Sequence, residues 1–213
     1  MVQIIPSVLA TSEEQYQADI SKLATSESLK DGWVHIDFAD NIFVQNKTIE
    51  PGVVAKYPNS FQKQAHLMVA DPLKWIDQLV EVGFETIIFH AEVENVEEVI
   101  NYIKSKGKKV GLAIKQETTT QSLKPFINSI DIALIMTIVA GFQGQKFIPE
   151  VLNKIAQIKN LNPHVYVGVD GGVSDENVKL VVEKGADFFI LGSYLLKGDP
   201  EENLESIWEE MNV

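Results

Sequence analysis

Eight short runs of β-branched and other apolar residues recur along this chain, separated by stretches that mostly carry helical spacing. They cover residues 2–9, 33–38, 65–69, 86–90, 109–114, 132–136, 165–169 and 188–191. The runs are nearly continuous rather than alternating, as strands buried on both faces should be. Eight runs in 213 residues give a mean repeat of about 27, the size of a βα unit rather than of a hairpin. The intervening segment 71–83 is amphipathic, with Pro72 suited to a first helical turn and Gly83 to a stop. Segments 95–107, 149–159, 174–185 and 200–211 repeat the scheme, with Ser174 read as an N-cap. Pro51 and Gly52 make the second helix short, and no Pro/Gly/Ser-rich linker interrupts the count. The pattern predicts one α/β domain over 1–213, a single (β/α)8 TIM barrel, with a doubly wound open sheet as the rival.

Composition narrows the chemistry. The absence of cysteine excludes disulfide scaffolds, thiolate metal sites and thiol catalysis, so any metal must sit on His, Asp or Glu. A net charge of −12 repels a polyphosphate backbone, which speaks against nucleic acid as a partner. A small anionic substrate stays compatible, because a few backbone N–H groups hold a phosphate locally. No run of eighteen apolar residues is present, and the first ten residues lack a basic stretch and a cleavage site. The expectation is a cytoplasmic protein without a membrane partner.

A barrel of this kind builds its site from the C-terminal ends of its strands. Strand 1 ends near Ser7, strand 2 carries His35 and Asp37, strand 3 carries His66, strand 4 ends at His90 and strand 7 ends at Asp170. His35 and Asp37 are two apart and so point to one side of their strand. Buried, they must be paired or bind a metal, and a satisfied His–Asp core pair is the simple alternative. With His66 and Asp170 they form a four-ligand N/O site suited to zinc, manganese or iron(II). His90 reads as a group behind the ligands or a structural histidine, with a fifth ligand as its alternative, and His164 as a surface residue. Gly171-Gly172 follows strand 7, Gly192-Ser193 follows strand 8, and the 141–145 loop with Gly141 and Gly144 follows strand 6. Three glycine loops on adjacent units argue for a phosphorylated small molecule.

The ordered motifs Ile5-Pro-Ser-Val-Leu9, His35-Ile-Asp-Phe-Ala-Asp40, Phe43-Val44 with Asn46 and Thr48, His66-Leu-Met-Val69, Met136-Thr137, Gly141-Phe142 with Gly144-Gln145, Val169-Asp-Gly-Gly-Val173 and Gly192-Ser193 span the chain. In this combination the sequence resembles the ribulose-phosphate 3-epimerase family. The resemblance implies a (β/α)8 barrel that epimerises C3 of a phosphorylated ketopentose with one divalent metal. By motif position it implies His35, Asp37, His66 and Asp170 as ligands, and Asp37 and Asp170 as paired acid and base. Ser7 is similar to the family's substrate-contacting serine. With it, His66, Met68, Met136, Gly141, Gly144, Gly171, Gly172, Gly192 and Ser193 are the expected substrate contacts. A homo-oligomer acting on a small phosphorylated sugar in carbohydrate metabolism is the wider expectation. The chain departs from the family pattern at Ala39-Asp40-Asn41, Gln45, Lys115-Gln116 and Ala140-Gly-Phe-Gln-Gly144.

D-Ribulose 5-phosphate is the leading substrate, with another phosphoketose, such as a ketohexose 6-phosphate, or a sugar-phosphate-binding paralogue as alternatives. Lys115 reads as an exposed loop lysine, with an inward position contacting phosphate, or forming a Schiff base, as its alternative.

Overall fold

The computed structural model describes residues 2–141 and 144–211; Phe142 and Gln143 of the strand-6 loop lie outside the described residues. Eight parallel strands close into a barrel in sequence order: β1 (Gln3–Val8), β2 (Trp33–Ala39), β3 (Gln62–Met68), β4 (Phe84–His90), β5 (Lys109–Ile114), β6 (Ile132–Met136), β7 (Tyr166–Asp170) and β8 (Phe188–Leu191). β8 pairs with β1, so no edge is left open and the open-sheet rival is excluded. Around the barrel run α1 (Glu13–Leu23), α2 (Pro51–Ala55), α3 (Leu73–Val82), α4 (Val96–Ser105), α5 (Asn153–Leu161), α6 (Val178–Glu183), α7 (Ser193–Leu196) and α8 (Pro200–Met211).

Alternation along each strand divides the core into two parts. Outward residues such as Ile36, Phe38, Ala65, Leu67, Ile87 and Phe89 pack under the helices in the main apolar layer. Inward residues Ile5, Ile88, Ala113, Ile132, Leu134, Phe188 and Ile190 fill the lower barrel as a second cluster. The barrel is narrow enough there that strand 7 presents no side chain at one level. A Cβ on Gly168 would lie 2.1 Å from the ring of Phe188. Buried apolar area of this kind drives folding at roughly 25 cal/mol per Å2.

The helices follow local chemistry. Ser12 caps α1 by accepting the Gln15 N–H, and Glu13 and Glu14 sit in its first turn. α3 starts after Pro72 and stops at Gly83, whose φ of 88° supplies the left-handed C-terminal residue. α2 has only 5 residues, the short helix that Pro51 and Gly52 foretold.

Three segments differ from the sequence pattern. Ser174 caps no helix, and α6 begins at Val178. Asn177 accepts the Ser174 N–H at 3.1 Å and donates to the Gly172 carbonyl at 2.9 Å, while the Ser174 carbonyl accepts the Val178 N–H at 2.9 Å, so a single turn held by Asn177 leads into the helix. Residues Pro149–Leu152 form a 3-10 turn leading into α5. The fifth unit has only the 3-10 turn Thr120–Leu123, which stops short of Pro125. The loop after β5 is instead held by Lys154 of α5, whose ammonium donates to the carbonyls of Lys115, Gln116 and Thr118 at 3.0, 2.7 and 2.7 Å. No described helix is long and apolar enough to cross a membrane.

Candidate active site

Strand register sets the site. Ser7 pairs with His35, His35 with Gln64, Asp37 with His66 and Met136 with Asp170. Period-two alternation then aims His35 and Asp37 from β2, Gln64, His66 and Met68 from β3, and Asp170 from β7 into the barrel. All four expected ligands are buried: His35 and His66 fully, Asp37 at 4% exposure and Asp170 at 8%.

One ligand atom from each of His35, Asp37, His66 and Asp170 lies within 4.8 Å of all the others. His66 Nδ1 stands 2.8 Å from Asp37 Oδ1 and 3.5 Å from Asp170 Oδ2. His35 Nε2 stands 3.4 Å from Asp37 Oδ1 and 3.8 Å from Asp170 Oδ2, yet this buried nitrogen makes no hydrogen bond. Its other nitrogen, Nδ1, donates to Gln64 Oε1 at 2.8 Å, which turns Nε2 toward the carboxylates. An orphaned imidazole nitrogen beside two buried carboxylates fits a divalent cation, which would satisfy all four groups. This cluster can hold a metal ion.

The electrostatics are lopsided. Burial opposes a charged His35, but the negative charges of Asp37 and then Asp170 outweigh it and raise the imidazole to about 9. Burial likewise opposes ionisation of Asp37, yet His35 and His66 hold its carboxyl well below the usual carboxylate range. Asp170 is pushed up, by burial first and by the charge of Asp37 second. Burial holds His66 and His90 below the usual imidazole value, against Asp37 and Glu92 respectively.

Above the cluster opens a cleft lined by Ser7, Asp37, Met68, Met136, Gly141, Gly144, Asp170, Gly171, Gly172, Gly192 and Ser193, with Ile138 and Tyr194 among its other walls. Every residue singled out from the sequence as a substrate contact therefore meets there, except that His66 lies beneath the cleft. Ala39, Met68, Met136 and Ala140 form a small apolar cluster at the mouth. Gly171 is required on two counts: its φ is 113°, and a Cβ would come 2.3 Å from Ile138 Cγ1. Thr137 fixes the same corner, its backbone N–H and hydroxyl both donating to the Asp170 carbonyl, at 2.7 and 2.9 Å. Asn46 donates to the Gly141 carbonyl at 2.6 Å and ties the loops after β2 and β6 together.

His164 is exposed, as read from the sequence. Lys115 is not the free loop lysine expected. It is half-buried, with its ammonium 4.0 Å from the centre of the Phe43 ring. Sequence reasoning passed over Gln64 and Glu92. Gln64 precedes His66 by two and Glu92 follows His90 by two, spacings that placed them beside known site residues.

The family model described as "Ribulose-phosphate 3 epimerase family" matches residues 3–196. A protein of Schizosaccharomyces pombe called ribulose-phosphate 3-epimerase is 35% identical over 97% of this chain and 93% of its own length. One of the same name from Mycobacterium tuberculosis is 32% identical over 92% of this chain and 86% of its own. Among solved structures, 3-hexulose-6-phosphate synthase from Salmonella typhimurium superposes with a TM-score of 0.72, at 16% identity, over 99% of both chains. A 3-keto-L-gulonate-6-phosphate decarboxylase from Vibrio cholerae gives 0.73 at 16% identity, over 99% of this chain and 97% of that one. At these identities the structural likeness speaks for the barrel alone.

Proposed function

The chain belongs to the ribulose-phosphate 3-epimerase family, isomerases acting on carbohydrates, and from that premise we propose that it interconverts D-ribulose 5-phosphate and D-xylulose 5-phosphate. The observation that carries the reading is the pair of buried carboxylates, Asp37 from β2 and Asp170 from β7, brought together with two imidazoles under one cleft. Inversion beside a carbonyl requires a proton to leave one face of C3 and another to arrive on the opposite face. Asp37 and Asp170 enter from different strands, so one carboxylate takes the C3 proton while the other, protonated, delivers to the far face. The reverse reaction exchanges their roles.

His35, Asp37, His66 and Asp170 would hold a divalent cation, which would supply Lewis-acid stabilisation to the substrate oxygens. The rest of the work belongs to the chain. Met68, Met136 and Ala39 line the mouth without hydrogen-bonding groups and keep the reacting carbon dry. Ser7 offers a hydroxyl to the sugar. Backbone N–H groups of the loops at Gly144, Gly171-Gly172 and Gly192-Ser193 are proposed to hold the phosphate, a role that needs no arginine.

The test is solvent-deuterium incorporation at C3 across a panel of phosphoketoses, run beside a metal analysis of the same preparation. Exchange and inversion fastest on D-ribulose 5-phosphate support the reading. Faster turnover of a ketohexose 6-phosphate would move the substrate, and no C3 exchange on any phosphoketose would leave a binding protein in place of an enzyme.

A further inference from the structure

Behind the proposed ligands lies a row of groups that the two-carboxylate chemistry does not use. His66 Nε2 stands 3.0 Å from His90 Nε2, and His90 Nδ1 stands 3.1 Å from Glu92 Oε2. The two rings stack with centroids 5.1 Å apart. Phe43 covers His90 at 4.8 Å and carries the Lys115 ammonium on its ring. Glu92 is not free to turn, because its Oε1 accepts the backbone N–H of Lys115 at 2.9 Å. Both imidazoles are fully buried, so water does not complete their hydrogen bonding.

Counting protons along the row decides its purpose. From Asp37 through His66 and His90 to Glu92 there are three contacts, at 2.8, 3.0 and 3.1 Å, and each needs one proton between its two heavy atoms. Two neutral imidazoles carry only two protons. Two protons serve only two of the three contacts, and a cation bound at His66 Nδ1 and Asp37 would stand in for the missing one, which leaves His66 Nδ1 bare. His90 then carries its proton on Nδ1, facing Glu92, and its bare Nε2 accepts from His66 Nε2–H. A bare His66 Nδ1 is a ligand atom turned toward Asp37 and Asp170.

We propose that Glu92 and His90 are positioning residues that set the proton of His66 on Nε2 and so present its Nδ1 to a divalent cation. The inference rests on the metal centre of the proposed function and adds the device that tunes it. Glu92 acts at two removes: its charge fixes the tautomer of His90, and His90 fixes that of His66. Partners of this kind behind a ligating histidine raise its basicity and orient its ring, and their loss costs about 10–100-fold in metal affinity.

Glu92→Gln is the discriminating change. The Lys115 N–H still requires an acceptor, so the carboxamide oxygen stays there and the NH2 group faces His90 Nδ1. That donor forces the His90 proton to Nε2, from which it points at His66 Nε2 and drives the His66 proton to Nδ1. Zn(II) affinity, measured by competition with a chromophoric chelator and without substrate, should fall about 10–100-fold while the melting temperature of the metal-free protein barely moves. A merely structural Glu92 would do the reverse. Unchanged Zn(II) affinity in a folded Glu92→Gln protein overturns the proposal.

A second measurement needs no variant. Imidazole 15N–1H correlation spectra of the Zn(II)-loaded wild type should show His90 protonated at Nδ1 and His66 at Nε2. A proton on His90 Nε2 overturns the relay. Failure of the wild type to bind Zn(II) would instead bring down the metal centre itself, so the two failures are told apart.

Discussion

The upper and lower halves of this barrel are built from the same eight strands and obey opposite rules. In the lower half the inward residues Ile5, Ile88, Ile132, Leu134 and Phe188 close the interior with apolar side chains. Toward the C-terminal ends of β1, β2, β3, β4 and β7, the interior holds Ser7, His35, Asp37, His66, His90 and Asp170, all buried. Burying such groups is costly unless each is paired or ligating. The lower half therefore carries stability and the upper half spends part of it on a preorganised site. The division teaches where substitutions should hurt: function above, folding below.

The most severe loss is expected above. Asp37→Asn and Asp170→Asn keep the shape and one oxygen ligand but remove the titratable site, and each should lower epimerisation by roughly 10²–10⁴-fold. Stability should move the other way for one of them. Asp170 is a buried carboxylate pressed by the charge of Asp37, so Asp170→Asn in chelator-treated protein should melt no lower than the wild type. Near-normal epimerisation by both variants would dissolve the two-base assignment, and a large drop in melting temperature for Asp170→Asn would blur the division between halves.

The mirror experiment lies below. Phe188 is fully buried, fills the space left by Gly168 and stacks on Tyr166 at 5.2 Å between centroids. Phe188→Ala should cost about 3–5 kcal/mol in denaturant unfolding, with kcat on the folded fraction within about twofold of wild type. A kcat that collapses while stability holds would mean that the floor is coupled to the site.

Much of this division is legible in the sequence, for a physical reason. Strands buried on both faces read as unbroken apolar runs, and polar residues spaced by two at their ends stand out against them, as His35 and Asp37 do. What escaped is what depends on neighbouring strands. β3 begins at Gln62, ahead of the apolar run at 65, because its polar start Gln62-Lys63-Gln64 pairs with Trp33, Val34 and His35 of β2. Gln64 matters only because β2 sets His35 beside it, and Glu92 only because it reaches the Lys115 backbone beyond β5. The cap expected at Ser174 failed similarly, since Asn177 takes the helix start instead and its side chain is engaged by the Gly172 carbonyl of the site loop. Periodicity reports which face a residue takes; it carries nothing about its partner across the barrel.

The smallest expected effect probes the rim between the two regimes. Asp40, just past β2, accepts the Ile42 and Phe43 N–H groups at 2.8 and 2.9 Å through Oδ1, and the Ala70 N–H at 2.7 Å through Oδ2. It thereby anchors the loop bearing Phe43 to the end of β3. Partial burial opposes its charge, but these backbone donors outweigh it and hold the carboxyl below its ordinary 3.8. For an acid with a depressed folded value, the added stability is present above the unfolded value and is lost as pH falls through the folded one. Wild-type stability should therefore decline below about pH 4 partly through this group. Asp40→Asn removes the charge and leaves one oxygen for three donors, so it should cost about 1 kcal/mol at pH 7 and flatten that acid limb. Denaturant midpoints measured from pH 7 down to 3 give both numbers. An Asp40→Asn protein with an unaltered acid limb would show that the rim draws its acid sensitivity from other carboxylates and that Asp40 anchors the loop by shape alone.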